Sequence, residues 1–227
     1  MSEQLILDLP TRQVLGRDAF FVSPSNAVAL ATLDAVDTWP SGKLVLVGPS
    51  GSGKTHMAHV FAAEHDAAIL PAADLTSANI PELAARRFVV VEDVDDLPEL
   101  ANSREAENAL FHLHNLTLAE GGRLLITAET PPNHWSLTLP DLASRMQGTT
   151  VTRIDPPDDM LLTAMLVKQF EDRQIKVPVA LIPWLVKRME RSAASARDLV
   201  EALDREALRA GKPISRSLAQ SLFPPED

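Results

Sequence analysis

Short apolar runs alternate with stretches of helical period through the first two thirds of the chain. The runs at 44–47, 67–70, 88–91, 124–127 and 151–154 are each about four residues long and are flanked by polar or turn-forming residues. Runs of that length predict strands buried on both faces rather than helices. Between the third and fourth runs, Ala106, Leu110, Leu113 and Leu116 recur at three- and four-residue spacing. That spacing lines one face of a helix. Strands alternating with helices predict an α/β fold with a five-stranded parallel, doubly wound sheet.

After residue 157 the pattern changes. Apolar positions keep only the helical period, predicting helices over 158–173, 180–192 and 195–210, with Gly211 as a stop and Pro213 beyond it. The pair Pro156-Pro157 marks the join, because proline lacks an N–H and biases the residue before it away from helix. The expected organisation is a terminal peptide (1–12), an α/β domain (13–157) and a small all-helical domain (158–227).

Composition narrows the function classes. The chain has 227 residues, 45% hydrophobic and 23% charged, which suits a folded globular protein. Its net charge is −10, and residues 1–157 carry 20 acidic against 10 basic side chains. Neutralising phosphates along DNA takes clustered Lys and Arg, so direct sequence-specific DNA binding is not expected. The absence of cysteine excludes thiol catalysis, disulfides and thiolate metal sites. No basic-then-apolar leader and no apolar run of membrane-spanning length occurs, so a soluble, cytoplasmic protein without membrane association is expected.

The strongest chemical signal is GPSGSGKT at 48–55. Gly48, Gly51 and Gly53 allow a tight turn, with Ser50 and Ser52 between them, so that backbone N–H groups converge on phosphate oxygens. Lys54 offers a cation to the β- and γ-phosphates, and the Thr55 hydroxyl can ligate Mg²⁺. An apolar strand precedes the loop. A helix follows over 56–63, its positive end at the phosphates and His56 in its first turn. ADP or ATP with Mg²⁺ is the expected ligand.

FVVVEDVDD at 88–96 supplies the second signal, a buried strand ending in carboxylates. One of these carboxylates would hold Mg²⁺ through water, and its neighbour would orient or deprotonate the attacking water. Asp95 and Asp96 read as solvated loop charges. The strand LLITAETPP at 124–132 also ends in polar residues, so Thr127 and Glu129 could face the γ-phosphate. His56, His59, His112 and His114 give no convincing metal-binding spacing and read as packing or surface residues.

In combination these motifs resemble AAA+ ATPases, and within them the DnaA/Hda family of replication initiators and their regulators. FVSPSN at 21–26 resembles the segment that packs near the adenine, which implies nucleotide contact by Val22. GKTHMAH at 53–59, FHLHN at 111–115 and LASR at 142–145 resemble the phosphate-loop helix, the helix before the sensor strand and the arginine-finger segment. The resemblance covers about residues 4–223. It implies a P-loop domain followed by a helical lid, with Glu92 at the Mg²⁺-associated position, Asp93 at the catalytic one and Glu129 at the first sensor. Arg145 would be a finger acting on a neighbouring subunit's nucleotide, and Arg197, in SARDL at 195–199, the second sensor. Read from the residues alone, Arg145 is a surface residue ending a helix and Arg197 a partner for Asp198 or Glu201. Glu92 and Glu129 stand where the family usually has Asp, which implies weak intrinsic hydrolysis.

QLILDL at 4–9 precedes the expected fold. It resembles the peptide by which bacterial proteins dock on the sliding clamp (the polymerase β subunit): Gln4 for a polar pocket, and Leu5, Leu7 and Leu9 for an apolar cleft. A first strand, or packing on its own domain or a second copy as a homodimer, are the other readings. The resemblance implies a negative regulator of replication initiation that docks on the clamp and stimulates hydrolysis of ATP bound to DnaA. The competing expectation is an autonomous AAA+ ATPase of helicase-loader type.

Overall fold

The computed structural model describes residues 21–223. The peptide carrying Gln4, Leu5, Leu7 and Leu9 lies outside the described residues, as does the boundary at residue 12. Five strands, β1 (Lys43–Val47), β2 (Ala68–Pro71), β3 (Phe88–Glu92), β4 (Arg123–Ala128) and β5 (Thr150–Arg153), form one sheet in the order β2-β3-β4-β1-β5. Every pairing is parallel. β1 lies between β4 and the edge strand β5, and its residues are buried along their whole length. All five runs predicted as strands are strands.

Helices cover both faces. On one, α3 (Ile80–Ala85), α4 (Ser103–Ala119) and α5 (Pro140–Gln147) meet Val45, Val47, Val89, Val91, Leu124 and Ile126. On the other, α1 (Ala27–Asp34) and α2 (Lys54–His65) meet Leu44, Leu46, Val90 and Leu125. Successive strand residues point to opposite faces, which is why the runs are apolar throughout rather than alternating. Ala106, Leu110 and Leu113 are fully buried on the inward face of α4, with Leu116 packed beside them.

The helical part has its own core, built from Leu162, Leu166, Phe170, Leu185, Val200 and Leu203. It comprises α6 (Asp159–Asp172), α7 (Leu181–Val186), α8 (Ala193–Ala210) and α9 (Arg216–Gln220). Two expectations change. The helix expected over 180–192 stops at Val186. Ser192 instead turns extended and caps α8, its hydroxyl accepting from Ser195 N. A terminal helix, α9, follows Pro213, capped by Ser215, whose hydroxyl accepts from Leu218 N. Gly211 ends α8 in the left-handed conformation at φ 61°, as a helix stop requires.

No helix among the described residues is long and apolar enough to cross a membrane.

Candidate functional site

β1 feeds directly into the 48–53 loop, and α2 starts at Lys54 without a side-chain cap on its first amides. Those N–H groups therefore remain available to an anion at the positive end of the helix. The loop is pinned from below, where Gly48 N donates to Ala128 O at 3.2 Å and Ser52 N to Pro49 O at 3.2 Å. Lys54 is buried, and its Nζ donates to Gly48 O at 2.8 Å and to Pro49 O at 3.3 Å. Its cation is thus held inside the curve of the loop. A Cβ at Gly48 would come within 2.5 Å of Ile154 Cγ2 and 2.7 Å of Ser52 Oγ. At Gly51, where φ is +71°, a Cβ would strike Ser192 of the helical part.

Glu92 and Thr55 meet beside this loop, close enough for the Thr55 hydroxyl to favour the ionised Glu92 carboxylate. These are the two residues that the sequence marks for Mg²⁺. Glu92 Oε1 and Ser52 Oγ are buried with no hydrogen-bond partner. Buried polar atoms rarely stay unpartnered, because each costs about 1–3 kcal/mol. Orphaned oxygens at the rim of an uncapped, glycine-shaped loop fit a phosphate-bound divalent cation. Ser52, Lys54, Thr55 and Glu92 are the residues that would hold the phosphates and the ion.

Burial raises the Glu92 carboxyl above its ordinary range, against the lowering effects of Thr55, His59 and Lys54. Asp93 is raised as well, first by burial and then by Asp96 and Asp95, against Lys54. His59 Nε2 lies 3.9 Å from Glu92 Oε2. Sequence reading missed that neighbour, although its three-residue spacing from His56 puts it on the next turn of α2. His56 is half-buried, and burial, His59 and Lys168 of α6 all lower its imidazole. Among the described residues no group of three or more His, Asp or Glu side chains could hold a metal ion.

Two expectations about the strand ends are corrected. Asp95 is not a solvated loop charge. Its Oδ2 accepts from Glu129 N and Thr130 N, both at 2.9 Å, and from Thr130 Oγ1 at 3.2 Å. It ties the turn after β3 to the turn after β4. Thr127 is fully buried, and its Oγ1 accepts from Asp93 N at 3.1 Å, holding Asp93 at φ 57°. Thr127 therefore carries Asp93 rather than facing outward. Glu129 is exposed at the same end of the sheet. Only pairwise contacts would have revealed these roles.

The segment at 21–26 joins the loop through the residues that follow β5. Ile154 N donates to Val47 O, and Asp155 N to Ser25 O at 3.0 Å. Asn26 is buried, accepting from Ser23 N at 2.9 Å and donating to Phe21 O at 2.9 Å, while Val22 is half exposed. Asp158 caps α6 through Leu161 N and also accepts from Ser25 N.

The helical part closes on the loop directly, with Ala193 N donating to Gly51 O at 3.2 Å. Arg197 lies one turn further along α8, about 7 Å beyond Ser192. It is partly exposed, and its Nε donates to Asp198 Oδ1 at 3.2 Å. That is the pairing its residues alone suggest, on a helix that also touches the loop.

Arg145 lies elsewhere. It ends α5, close to the first residues of β1 and β5, and its side chain is exposed. Its carbonyl accepts from Lys43 Nζ at 2.7 Å and from Thr149 Oγ1 at 2.9 Å. Lys43 begins the strand whose other end is Gly48. At a rise of about 3.3 Å per residue, Arg145 is on the order of 16 Å from its own phosphate loop, across the sheet. An open recess of about 530 Å³ beside it is lined by Lys43, Phe111, Asp141, Ser144, Arg145 and Gly148.

No protein-family model matches the chain. Solved structures do resemble it. Domain III of the Thermotoga maritima replication initiation protein DnaA superposes with a TM-score of 0.74 at 19% identity, over 96% of this chain and 100% of that one. A DNA replication initiation factor superposes with a TM-score of 0.71 at 15% identity, over 85% of this chain. The present chain spans 64% of that protein's length. The AAA domain of FIGL-1 in complex with ADP gives 0.63 at 17% identity, over 89% of this chain and 80% of that one. By sheet order, loop position and these superpositions, the chain has the AAA+ P-loop fold.

Proposed function

We propose that this protein is a nucleotide-bound regulator of replication initiation that stimulates hydrolysis of ATP on the initiator DnaA, in the manner of a regulatory inactivator of the Hda type. The observation that carries this reading is the position of Arg145. An exposed arginine at the end of the sheet opposite its own phosphate loop cannot reach its own nucleotide. It can act only on a nucleotide presented by a neighbouring subunit. The superposition on initiator AAA+ domains supplies the kind of neighbour that would present one.

At the chain's own site, the uncapped start of α2 and Lys54 bind the phosphates of ADP or ATP. Thr55 and Glu92 would hold Mg²⁺, which when bound would neutralise charge on the nucleotide phosphates. Asp93 orients water, held in place by Thr127. Glutamate at 92 and 129 favours slow turnover by this protein alone. Arg197 and Ser192 let the helical part respond to what the loop holds. Val22 and Asn26 border the base. On the partner, Arg145 stabilises charge developing on the γ-phosphate, a contribution of about 10³–10⁵ in rate where such fingers act in trans. Gln4, Leu5, Leu7 and Leu9 tether the protein to DNA-loaded clamp in the cytoplasm, raising its concentration near the initiator.

The test is single-turnover hydrolysis of labelled ATP on the initiator, with clamp loaded on DNA. Wild-type protein should accelerate it at least about 10²-fold, and Arg145→Ala should remove the acceleration while clamp binding persists. Unchanged stimulation by Arg145→Ala would refute the reading. Rapid turnover by this protein alone, abolished by Asp93→Asn, would favour the autonomous ATPase.

A further inference from the structure

α5 is held at its start by α4 and near its end by β1. At its start, the fully buried Glu107 accepts from Thr138 N and from Leu139 N, the latter at 2.6 Å. Seven residues later, and so on the same face of α4 about 10 Å along it, comes His114. His114 is buried, and its Nε2 lies 3.4 Å from Lys43 Nζ. Lys43 in turn donates to Arg145 O at 2.7 Å, at the other end of the eight-residue α5. The α4 spacing and the roughly 12 Å length of α5 match.

The imidazole is tuned for this arrangement. Its Nδ1 lies 3.1 Å from Asn115 Oδ1, an acceptor, so Nδ1 carries the proton and Nε2 is left to accept from Lys43. A buried ammonium on an interior strand is costly unless its donors are used. Here two of the three have acceptors, and one of those is the backbone of Arg145 itself. Lys43 and His114 enter neither the nucleotide site nor the arginine's own chemistry.

We infer that Lys43, oriented by His114, is a positioning residue that fixes the C-terminal end of α5 and so sets where the Arg145 guanidinium meets a neighbouring subunit's nucleoside triphosphate. This rests on the reading of Arg145 given above. The charged groups around the pair are Asp141 and Arg145 of α5, together with Arg123 at the start of β4, whose guanidinium is turned to the carbonyls of Val36, Gly121 and Gly122. Burial lowers the imidazole below its ordinary value near 6.5, as do Lys43 and Arg145, against the bond to Asn115. The neutral ring therefore persists in the folded protein below that pH. Once protonated, it can no longer accept from Lys43 and sets a third cation beside two others.

The experiment uses the full chain with clamp on DNA and ATP-loaded initiator, measuring the stimulated rate at saturation and the half-saturating concentration separately. Lys43→Met should lower the saturated rate on the order of 10- to 100-fold, the scale of a misplaced catalytic group, with half-saturation and ADP affinity unchanged. Lys43→Arg should restore part of it. The wild-type rate should fall at pH below 6.5, and His114→Gln, which keeps an acceptor that does not titrate, should hold the neutral rate and lose that acid limb. A Lys43→Met rate within twofold of wild type, or an identical acid limb in His114→Gln, overturns the inference. Arg145→Ala run in parallel separates the two failures. If it abolishes stimulation while Lys43→Met does not, only the positioning role falls. If it leaves stimulation intact, the finger reading fails and the inference falls with it.

Discussion

Two glutamates of equal chemistry sit in different regions of the α/β domain. Glu107 is fully buried, and both of its oxygens accept from the backbone and side chain of Thr138, with Leu139 N added. Glu92, nearly as buried, keeps Oε1 without a partner. The same contrast runs through the two ends of β1. At its start, Lys43 is tied to His114 and Arg145. Past its end, Ser52 Oγ is orphaned and α2 starts uncapped. At the first end the protein itself supplies partners for Lys43 and Glu107, although Thr117 Oγ1 nearby stays without one. The other is left incomplete in a way that an anion and a cation would complete. For these two glutamates, polar satisfaction separates scaffold from candidate binding site more sharply than burial does.

The largest expected effect breaks the symmetry between the two cations. Lys54→Ala removes the charge inside the loop and should weaken ADP binding on the order of 10³-fold, about 4 kcal/mol, by isothermal titration. Arg145→Ala, at the other end, should leave ADP affinity within twofold. Comparable losses in both would mean that the two ends share one ligand, and the separation drawn here would be wrong.

Next comes the satisfied glutamate. Glu107→Ala leaves two backbone donors without their acceptor at the entry to α5 and opens a cavity in a packed face. It should cost about 3 kcal/mol. For a chain of this size that lowers the melting temperature by roughly 6–12 °C. A change under about 2 °C would show that water replaces the carboxylate and that α5 is held by packing alone.

Much of the architecture was legible in the chain because the signals were local. Buried parallel strands must be apolar throughout, so five short runs gave five strands. GPSGSGKT carries its own geometry, and Lys54, Thr55 and Glu92 converge as their spacing implied. What escaped was non-local or local of another kind. Asp95 reads like any loop aspartate until its partners at 129 and 130 are seen beside it. Thr127 reads as facing the γ-phosphate because it ends an apolar run, yet its hydroxyl accepts from Asp93 N inside the sheet. Lys43 is the polar start of an apolar strand, and no periodicity links it to a histidine 71 residues away. The helix expected over 180–192 ends at Val186, and Ser192 caps α8 instead.

The smallest effect sharpens the contrast most, because its sign is unusual. Ionised Glu92 is disfavoured in the folded protein, since burial raises its carboxyl above the ordinary value near 4.5. The unfolded chain ionises more easily, so deprotonation favours unfolding. The penalty is full above the raised folded value and fades as pH falls toward 4.5. Glu92→Gln removes it. In chelator and without nucleotide, the variant should melt above wild type at pH 7.5, by about 2–4 °C for roughly 1 kcal/mol, and the gap should shrink at pH 5. With Mg²⁺ and ATP added the order should reverse, because the carboxylate then has the partner its orphaned oxygen lacks. A variant that melts below wild type in chelator at pH 7.5 would show that Glu92 is as settled as Glu107, and that this end of the sheet is not held open for a ligand.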